Sequence, residues 1–354
     1  MFVPPRCPYR RCRAHLHPEP ELLRPHGHYL AKCRPHPIPR FRCLSCLRTF
    51  SRQTFRMDYR DHRPDLNWQL LQSLASGLGL RQSSRNLRLS LRCTELKFRK
   101  LARHARRLNL NLRGDLPADA SFQMDELETF EGRRNTRPLT VPVLIEKETR
   151  FIVWAESAKI RPRGKMTPAR LRAVEDDEKR LGKRLDWSLY ALRRTLGRAR
   201  DLAKRLERVF LETDKKTVYE RLAKAAFGKD RLCHSQTSSR LPRTIANPLF
   251  AINHTEAMAR DLMGRLRRES WLVSKKRRFL DLGLQIFIAY RNYVRRRFNY
   301  DHRSPAQMLG FAPRRLREPE LLSWRQDWGE RSIHPLARGS ESVVEFASPP
   351  GRAA

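Results

Sequence analysis

Five of the seven cysteines fall within the first 46 residues, and their spacing constrains the fold more than any other feature of the chain. Cys7-Pro-Tyr-Arg-Arg-Cys12 is a C-x4-C pair, and Cys43-Leu-Ser-Cys46 is a C-x2-C pair. No apolar secretory core opens the sequence, so metal ligation is a better expectation than a disulfide framework. Two such pairs on two turns supply four thiolates to one tetrahedral Zn²⁺. The metal would hold together a segment too small and too polar to fold by burial alone. The expected ligands are Cys7, Cys12, Cys43 and Cys46, with Cys33, His15, His17, His26 and His28 as substitutes. The bland alternative is a reduced cluster without metal. Cys93 and Cys233 are isolated and read as small apolar residues.

Charge narrows the partners. The 354 residues carry 75 Lys+Arg against 37 Asp+Glu, a net +38 with histidines neutral. A charge of this size repels itself unless a polyanion is near, and nucleic acid leads an anionic membrane surface as that partner. The apolar fraction of 40% excludes a wholly disordered basic protein. An ordinary enzyme of small neutral substrates has no use for such charge. No apolar run reaches the roughly 20 residues of a membrane span, so a cytoplasmic protein is expected. The charge is also uneven. Residues 1–112 hold 24 basic and 6 acidic side chains, whereas 113–131 hold one basic and six acidic ones. Residues 259–300 return to 12 basic and 3 acidic. A DNA-binding surface accounts for the basic blocks. The acidic island is either a solvated turn or a set of carboxylates holding cations that act on phosphate.

Periodicity places these features on elements. Leu66, Leu70, Leu71, Leu74 and Leu78 recur at helical spacing, and Gly77 and Gly79 interrupt them. A short helix capped by Ser83 and a strongly basic helix over 91–107 follow, with Leu96 and Leu101 turned inward. Helix, turn, helix, turn, basic helix is the pattern of a helix-turn-helix whose last helix enters a major groove. Arg92, Lys97, Arg99, Lys100 and Arg103 would then meet DNA. The alternative is a basic helical linker with a solvated face.

Strand candidates follow at 120–132, 140–146 and 150–155, the first carrying Asp125. A helical stretch opened by Thr167-Pro168 leads to an apolar run at 208–214 ending in Asp214. A helix from about 253 to 268 carries Glu256, with Asn253 or Thr255 as its cap. Three strands, a helical insertion, a fourth strand and a helix suggest a ribonuclease-H-like α/β/α core. There Asp125, Asp214 and Glu256 would converge, separated by 89 and 42 residues. Three such acids repel unless divalent cations neutralise them. Two Mg²⁺ about 3.5–4 Å apart activate a water or 3′-hydroxyl and stabilise the leaving oxygen. Each acid also has a structural alternative. Asp214 can cap the helix after it, and Glu256 can pair with Arg260 one turn on. On a regular strand Glu126 and Glu128 face away from Asp125. Beyond the acids, Arg267, Arg268, Lys275 and Lys276 surround Trp271 and would track phosphates, while 279–290 reads as a buried closing helix.

These residues resemble bacterial insertion-sequence transposases of the DDE type that carry an N-terminal zinc ribbon. The similar groups are those around the first insertion sequence described and the group with an N-x-x-E signature. The resemblance rests on the cysteine pairs with Phe41-Arg-Cys-Leu-Ser-Cys46, on Met124-Asp-Glu-Leu-Glu-Thr-Phe-Glu-Gly132, on Leu211-Glu-Thr-Asp214 with Tyr219, and on Asn253-His-Thr-Glu256. It spans roughly residues 5–300. It implies DNA cleavage and strand transfer by two Mg²⁺ (or Mn²⁺) on Asp125, Asp214 and Glu256. Aligned with the first group instead, the third acid falls on Asn253, with Asp261 a remote substitute.

The expected architecture is therefore α+β and multi-domain. A zinc ribbon occupies 1–52, a helix-turn-helix region 53–112, a ribonuclease-H-like catalytic domain 113–305 and a C-terminal extension 306–354, flexible from 336. The expected function is a transposase binding double-stranded DNA at element ends and at its target. It would act as a homodimer or larger assembly, associated with the bacterial nucleoid. The competing expectations are a catalytically inactive or domesticated DNA-binding regulator and a structure-directed nuclease on the same fold.

Overall fold

The computed structural model describes residues 2–268 and 270–324, and the tail expected at 336–354 lies outside them. The cysteine pairs frame a small antiparallel sheet. A short α1 (Arg13–Leu16) precedes β1 (Leu23–Tyr29), β2 (Ile38–Cys43) and β3 (Thr49–Ser51), which pair in that order. Phe41, Phe50 and Phe55 pack with Cys7, Cys12 and Cys43 in an apolar cluster of their own.

Three helices come next: α2 (Asn67–Ala75), α3 (Leu80–Asn86) and α4 (Leu91–Asn111). The Ser90 side chain caps α4 by accepting from the Cys93 amide; Ser83, expected to cap the short helix α3, is instead buried inside it, and Gly79 stands at the cap. The buried face of α4 contains Phe98, Leu101, Ala102, Ala105 and Leu108. Leu96 is out of phase with that stripe and is 53% exposed, against expectation.

The central sheet begins with β4 (Ser121–Phe130), β5 (Pro138–Glu146), β6 (Ile152–Ala155) and the short β7 (Ala158–Lys159). Helices α5 (Pro168–Leu181) and α6 (Ser188–Leu202) intervene before β8 (Val209–Asp214), α7 (Thr217–Phe227) and β9 (Leu232–Thr237). Then come α8 (Phe250–Leu262) and α9 (Arg277–Ala289), a π-helical turn over 290–294, α10 (Pro305–Met308) and α11 (Glu318–Ser323). The strand order is β6-β5-β4-β8-β9, with β7 on β5. β4, β5 and β6 run antiparallel, while β8 and β9 lie parallel to β4. The α+β expectation holds at this level, and all four expected strands begin and end within two residues of their expected limits. Thr167 caps α5 as expected, its side chain accepting from Arg170 N. Helix α8 starts earlier than expected, so Asn253 and Thr255 sit inside it rather than at its cap.

The helical segment does not stand apart from the sheet. Phe98, Leu101 and Leu108 share one apolar core with Phe122, Met124 and Leu144. Asn109 donates to the Gln285 carbonyl at 3.0 Å, and Phe98 stacks on Phe279. The turn after α2 touches the segment after α8: a Cβ on Gly264 would come within 2.3 Å of the Gly77 carbonyl oxygen. The division expected at residue 112 is thus no break in packing. The same holds at 306, since Phe311, Leu316, Leu321 and Trp324 complete that core. An apolar stripe as long as that of α4 needs a partner, and α9 supplies it. Among the described residues no helix is long and apolar enough to cross a membrane.

Candidate functional site

The four cysteine sulfurs Cys7, Cys12, Cys43 and Cys46 lie within 4.8 Å of one another. Cys7 and Cys46 are 3.7 Å apart, as are Cys12 and Cys43. With Zn–S bonds of about 2.3 Å, a tetrahedron has edges of about 3.8 Å. The quartet therefore has the dimensions of a zinc site. Burial pushes the Cys7 and Cys43 thiols up, whereas at Cys12 burial is outweighed by hydrogen bonds from Ser45 and Cys43, which lower it to about 7. The quartet thus holds one readily ionised sulfur beside two that burial keeps protonated. Cys33 is exposed and outside the quartet. His15 is occupied, its Nδ1–H donating to the Cys7 carbonyl at 2.7 Å, and it braces the first knuckle.

The second site is built by strand register. In the parallel pair, Gln123 lies opposite Glu212 and Met124 opposite Thr213. Asp125 and Asp214 come one step later, on neighbouring strands whose backbones are about 4.8 Å apart. Gln123 then fixes the helix above them. Its Nε2 donates to Glu212 at 2.6 Å and to the Pro248 carbonyl at 2.7 Å, and its Oε1 accepts from Ile252 N at 2.9 Å. Glu256 follows one turn along α8. All three acids line a single cleft of about 470 Å³, together with Arg243, Arg260 and Arg268.

The acids feel one another. Burial raises Asp125 to about 6, Asp214 adding to the rise and Arg243 opposing it. Burial and then Asp125 raise Glu256 to about 8 against Arg260, Arg243 and Arg268. Glu256 is 3% exposed, and its Oε1 has no hydrogen-bond partner. Its Oε2 stands 3.7 Å from Arg260 Nη1, the expected one-turn pair. Asp214 accepts from Lys216 N at 3.2 Å, so it does both things considered for it: it lines the cleft and touches the start of α7. Glu126 and Glu128, expected to face away from Asp125, also border the cleft, because it opens along the edge at this end of β4; Glu126 is held there by accepting from Thr140 Oγ1, Tyr219 OH and Lys216 Nζ. Asn253 lines the cleft but is no acid, and Asp261 is not among the cleft residues.

The basic candidates divide. Arg92, Arg103, Arg267, Arg268, Lys275 and Lys276 are exposed, as is Trp271 at 96%. Lys97, expected on DNA, is buried instead. Its ammonium donates to Asp61 at 3.1 Å, the Arg63 carbonyl at 2.7 Å and Asn67 at 2.9 Å. Lys100 is drawn to the Tyr59 carbonyl and Asp61, and Arg99 to Glu95 and the Phe279 ring. These three serve the fold, because Asp61, 36 residues before Lys97, comes back to neutralise that side of α4. Sequence reasoning missed Gln123, Arg243 and Lys216. Only the parallel register reveals Gln123, and Arg243 sits in an irregular loop with no pattern to read. The chain matches no protein-family model and no curated protein.

Proposed function

We propose that the chain is a DNA-cutting and DNA-joining enzyme, a DDE-type transposase. The reading is carried by one observation: acids from β4, β8 and α8 face one arginine-rimmed cleft in a chain of net charge +38. The sheet order, three antiparallel strands followed by two parallel to the first, supports reading the core as ribonuclease-H-like. Asp125, Asp214 and Glu256 are all hard oxygen donors, and the unpartnered Glu256 Oε1 suits two Mg²⁺ or Mn²⁺ ions. When bound, the ions supply activation of a water or 3′-hydroxyl and neutralise the leaving oxygen. The chain's own residues do the rest. Strand register sets the first two acids, and Gln123 orients α8 so that Glu256 meets them. Arg243, Arg260 and Arg268 attract the phosphate. Arg92 and Arg103, exposed on α4, fit a helix-turn-helix contact to double-stranded DNA, with the zinc-held ribbon as a second contact. Holding two element ends together calls for at least a homodimer, on bacterial nucleoid DNA.

Purified protein should nick element-end DNA only with Mg²⁺ or Mn²⁺. Asp125→Asn should lower nicking at least about a hundredfold while leaving DNA binding intact. Undiminished nicking in that variant overturns the assignment. One observation favours an inactive DNA-binding regulator instead. Among the described residues only the cysteines bring three or more ligand atoms within 4.8 Å of one another. Absence of metal-dependent nicking in the unaltered protein, with binding retained, would select that reading.

A further inference from the structure

A second cleft, of about 550 Å³, opens where α8, the π-helical turn and the segment before α11 meet. It does not include the three acids. Its walls carry Arg295, Arg296, Arg315 and Arg317, together with Tyr290 and Phe298. Arg317 pairs with Glu320 and Arg297 with Asp301, while Arg295, Arg296 and Arg315 form no salt bridge among the described residues and outnumber the one carboxylate of the wall, Glu318. The cleft is built rather than accidental. Buried Arg291 donates from Nη1 to the Arg296 carbonyl at 3.2 Å and from Nη2 to the Arg297 carbonyl at 3.0 Å, folding the loop back on itself. Burial first, then Arg295, Arg150 and Arg297, lower Arg291 to about 10. That crowding of like charge works against the folded chain unless an anion occupies the cleft. The rim is also aromatic: Phe298 lies 5.6 Å from the His254 ring, and the Arg297 and Arg150 guanidinia sit 4.8 and 5.2 Å from its centroid, so a base would reach this ring by displacing the Arg297 side chain or by stacking on the guanidinium itself. π-Helical turns of the kind that leads into this loop concentrate at functional sites.

We infer that this cleft holds a single strand of nucleic acid, with phosphates on Arg295, Arg296 and Arg315 and a base against Phe298. Unpaired cations take phosphates, and an aromatic face among them takes an unstacked base, which is the combination that binds single strands. A cavity of this size encloses a small ligand or a nucleotide and not a duplex. His254 links the two clefts: it lines this one and sits two residues before Glu256 on α8. The strand held here is thus one that has been separated from its partner beside the acids. The inference deepens the DNA-processing reading by giving that activity a strand-holding site.

The test uses the full chain, without metal, on a fluorescent oligothymidylate and on a duplex of equal length. Arg296 and Arg315 are exposed, so Arg296→Ala/Arg315→Ala should keep the melting temperature. It should weaken oligothymidylate binding about tenfold and reduce its salt slope by about 1.4, which is 0.7 for each lost phosphate contact. Duplex binding should change less than twofold. Phe298→Leu should weaken single-strand binding at least about fivefold with the salt slope unchanged, the mark of lost stacking. Equal losses on both substrates would make the cleft a general polyanion surface and overturn the inference, as would unchanged single-strand binding. Asp125→Asn run alongside separates the two readings, because it should spare this binding and remove only nicking.

Discussion

Two clusters of metal-type ligands sit in this molecule, and they are prepared to different degrees. The cysteine sulfurs already stand at the 3.7 Å separations of a zinc tetrahedron. The three carboxylates share a cleft but are not gathered as tightly. The difference follows from charge. Thiols that burial keeps protonated, as at Cys7 and Cys43, approach their neighbours at little electrostatic cost, whereas carboxylates in a low-dielectric cleft repel and shift upward, as Asp125 and Glu256 do.

The largest effect expected from this contrast is at the thiols. Cys43→Ser should remove most of a binding energy on the order of 10 kcal/mol and abolish the one zinc per chain that native mass spectrometry of the unaltered protein is expected to show. Residues 2–51 should become open to protease while the main core, a separate cluster, keeps its melting temperature. A folded, zinc-free unaltered protein would break the comparison. Next comes a buried charge that the chain balances by itself. Lys97→Ala leaves Asp61 with only Lys100 and Asn67 as partners, removes the donor from Asn67 Oδ1 and the Arg63 carbonyl, and should cost about 1–3 kcal/mol in chemical unfolding. Arg92→Ala, on the exposed side of the same helix, should change stability by less than about 0.5 kcal/mol and lower only DNA affinity.

An effect of opposite sign is expected at the acids. Glu256→Gln should stabilise the metal-free protein near neutral pH by about 1–3 kcal/mol, because burial raises this acid to about 8 and folding must therefore protonate a carboxyl that is ionised in the unfolded chain. Mg²⁺ should then raise the melting temperature of the unaltered chain and not of the variant. The smallest test is acid. His104 is fully buried, its Nε2–H donating to the Leu321 carbonyl at 2.7 Å, and burial lowers it to about 4. Between roughly pH 6.5 and 4 the unfolded chain binds this proton and the folded one does not. Stability should therefore fall as pH drops through that window. His104→Gln should flatten this part of the curve, and an unchanged slope would show that another group sets it.

The legible parts of the molecule were those with short-range patterns. C-x4-C and C-x2-C report directly on two turns, and the apolar runs of β4, β5, β6 and β8 report on buried strands. β9 was missed because Leu232-Cys-His-Ser-Gln-Thr237 is a half-exposed edge strand with no apolar alternation. Lys97 was misread because its anion comes from far back in the chain, and a helix face alone does not show what will cover it. Gln123 was missed for the converse reason, since its partners Glu212, Pro248 and Ile252 lie 89 to 129 residues ahead. Asp125, Asp214 and Glu256 could be chosen because strand ends and helical spacing are local. How closely they approach is tertiary.

The wide separation of the three acids along the chain also sets an order of events during synthesis. Glu256 leaves the ribosome 131 residues after Asp125, about 7–26 s later at usual elongation rates. The core that supports them waits longer, until Leu321 and Trp324 arrive to cover His104. The N-terminal cysteine segment and the basic helices emerge well before this. A growing chain thus has its basic surfaces before it has an assembled acidic cleft, and that cleft closes only after residue 324 has joined the core.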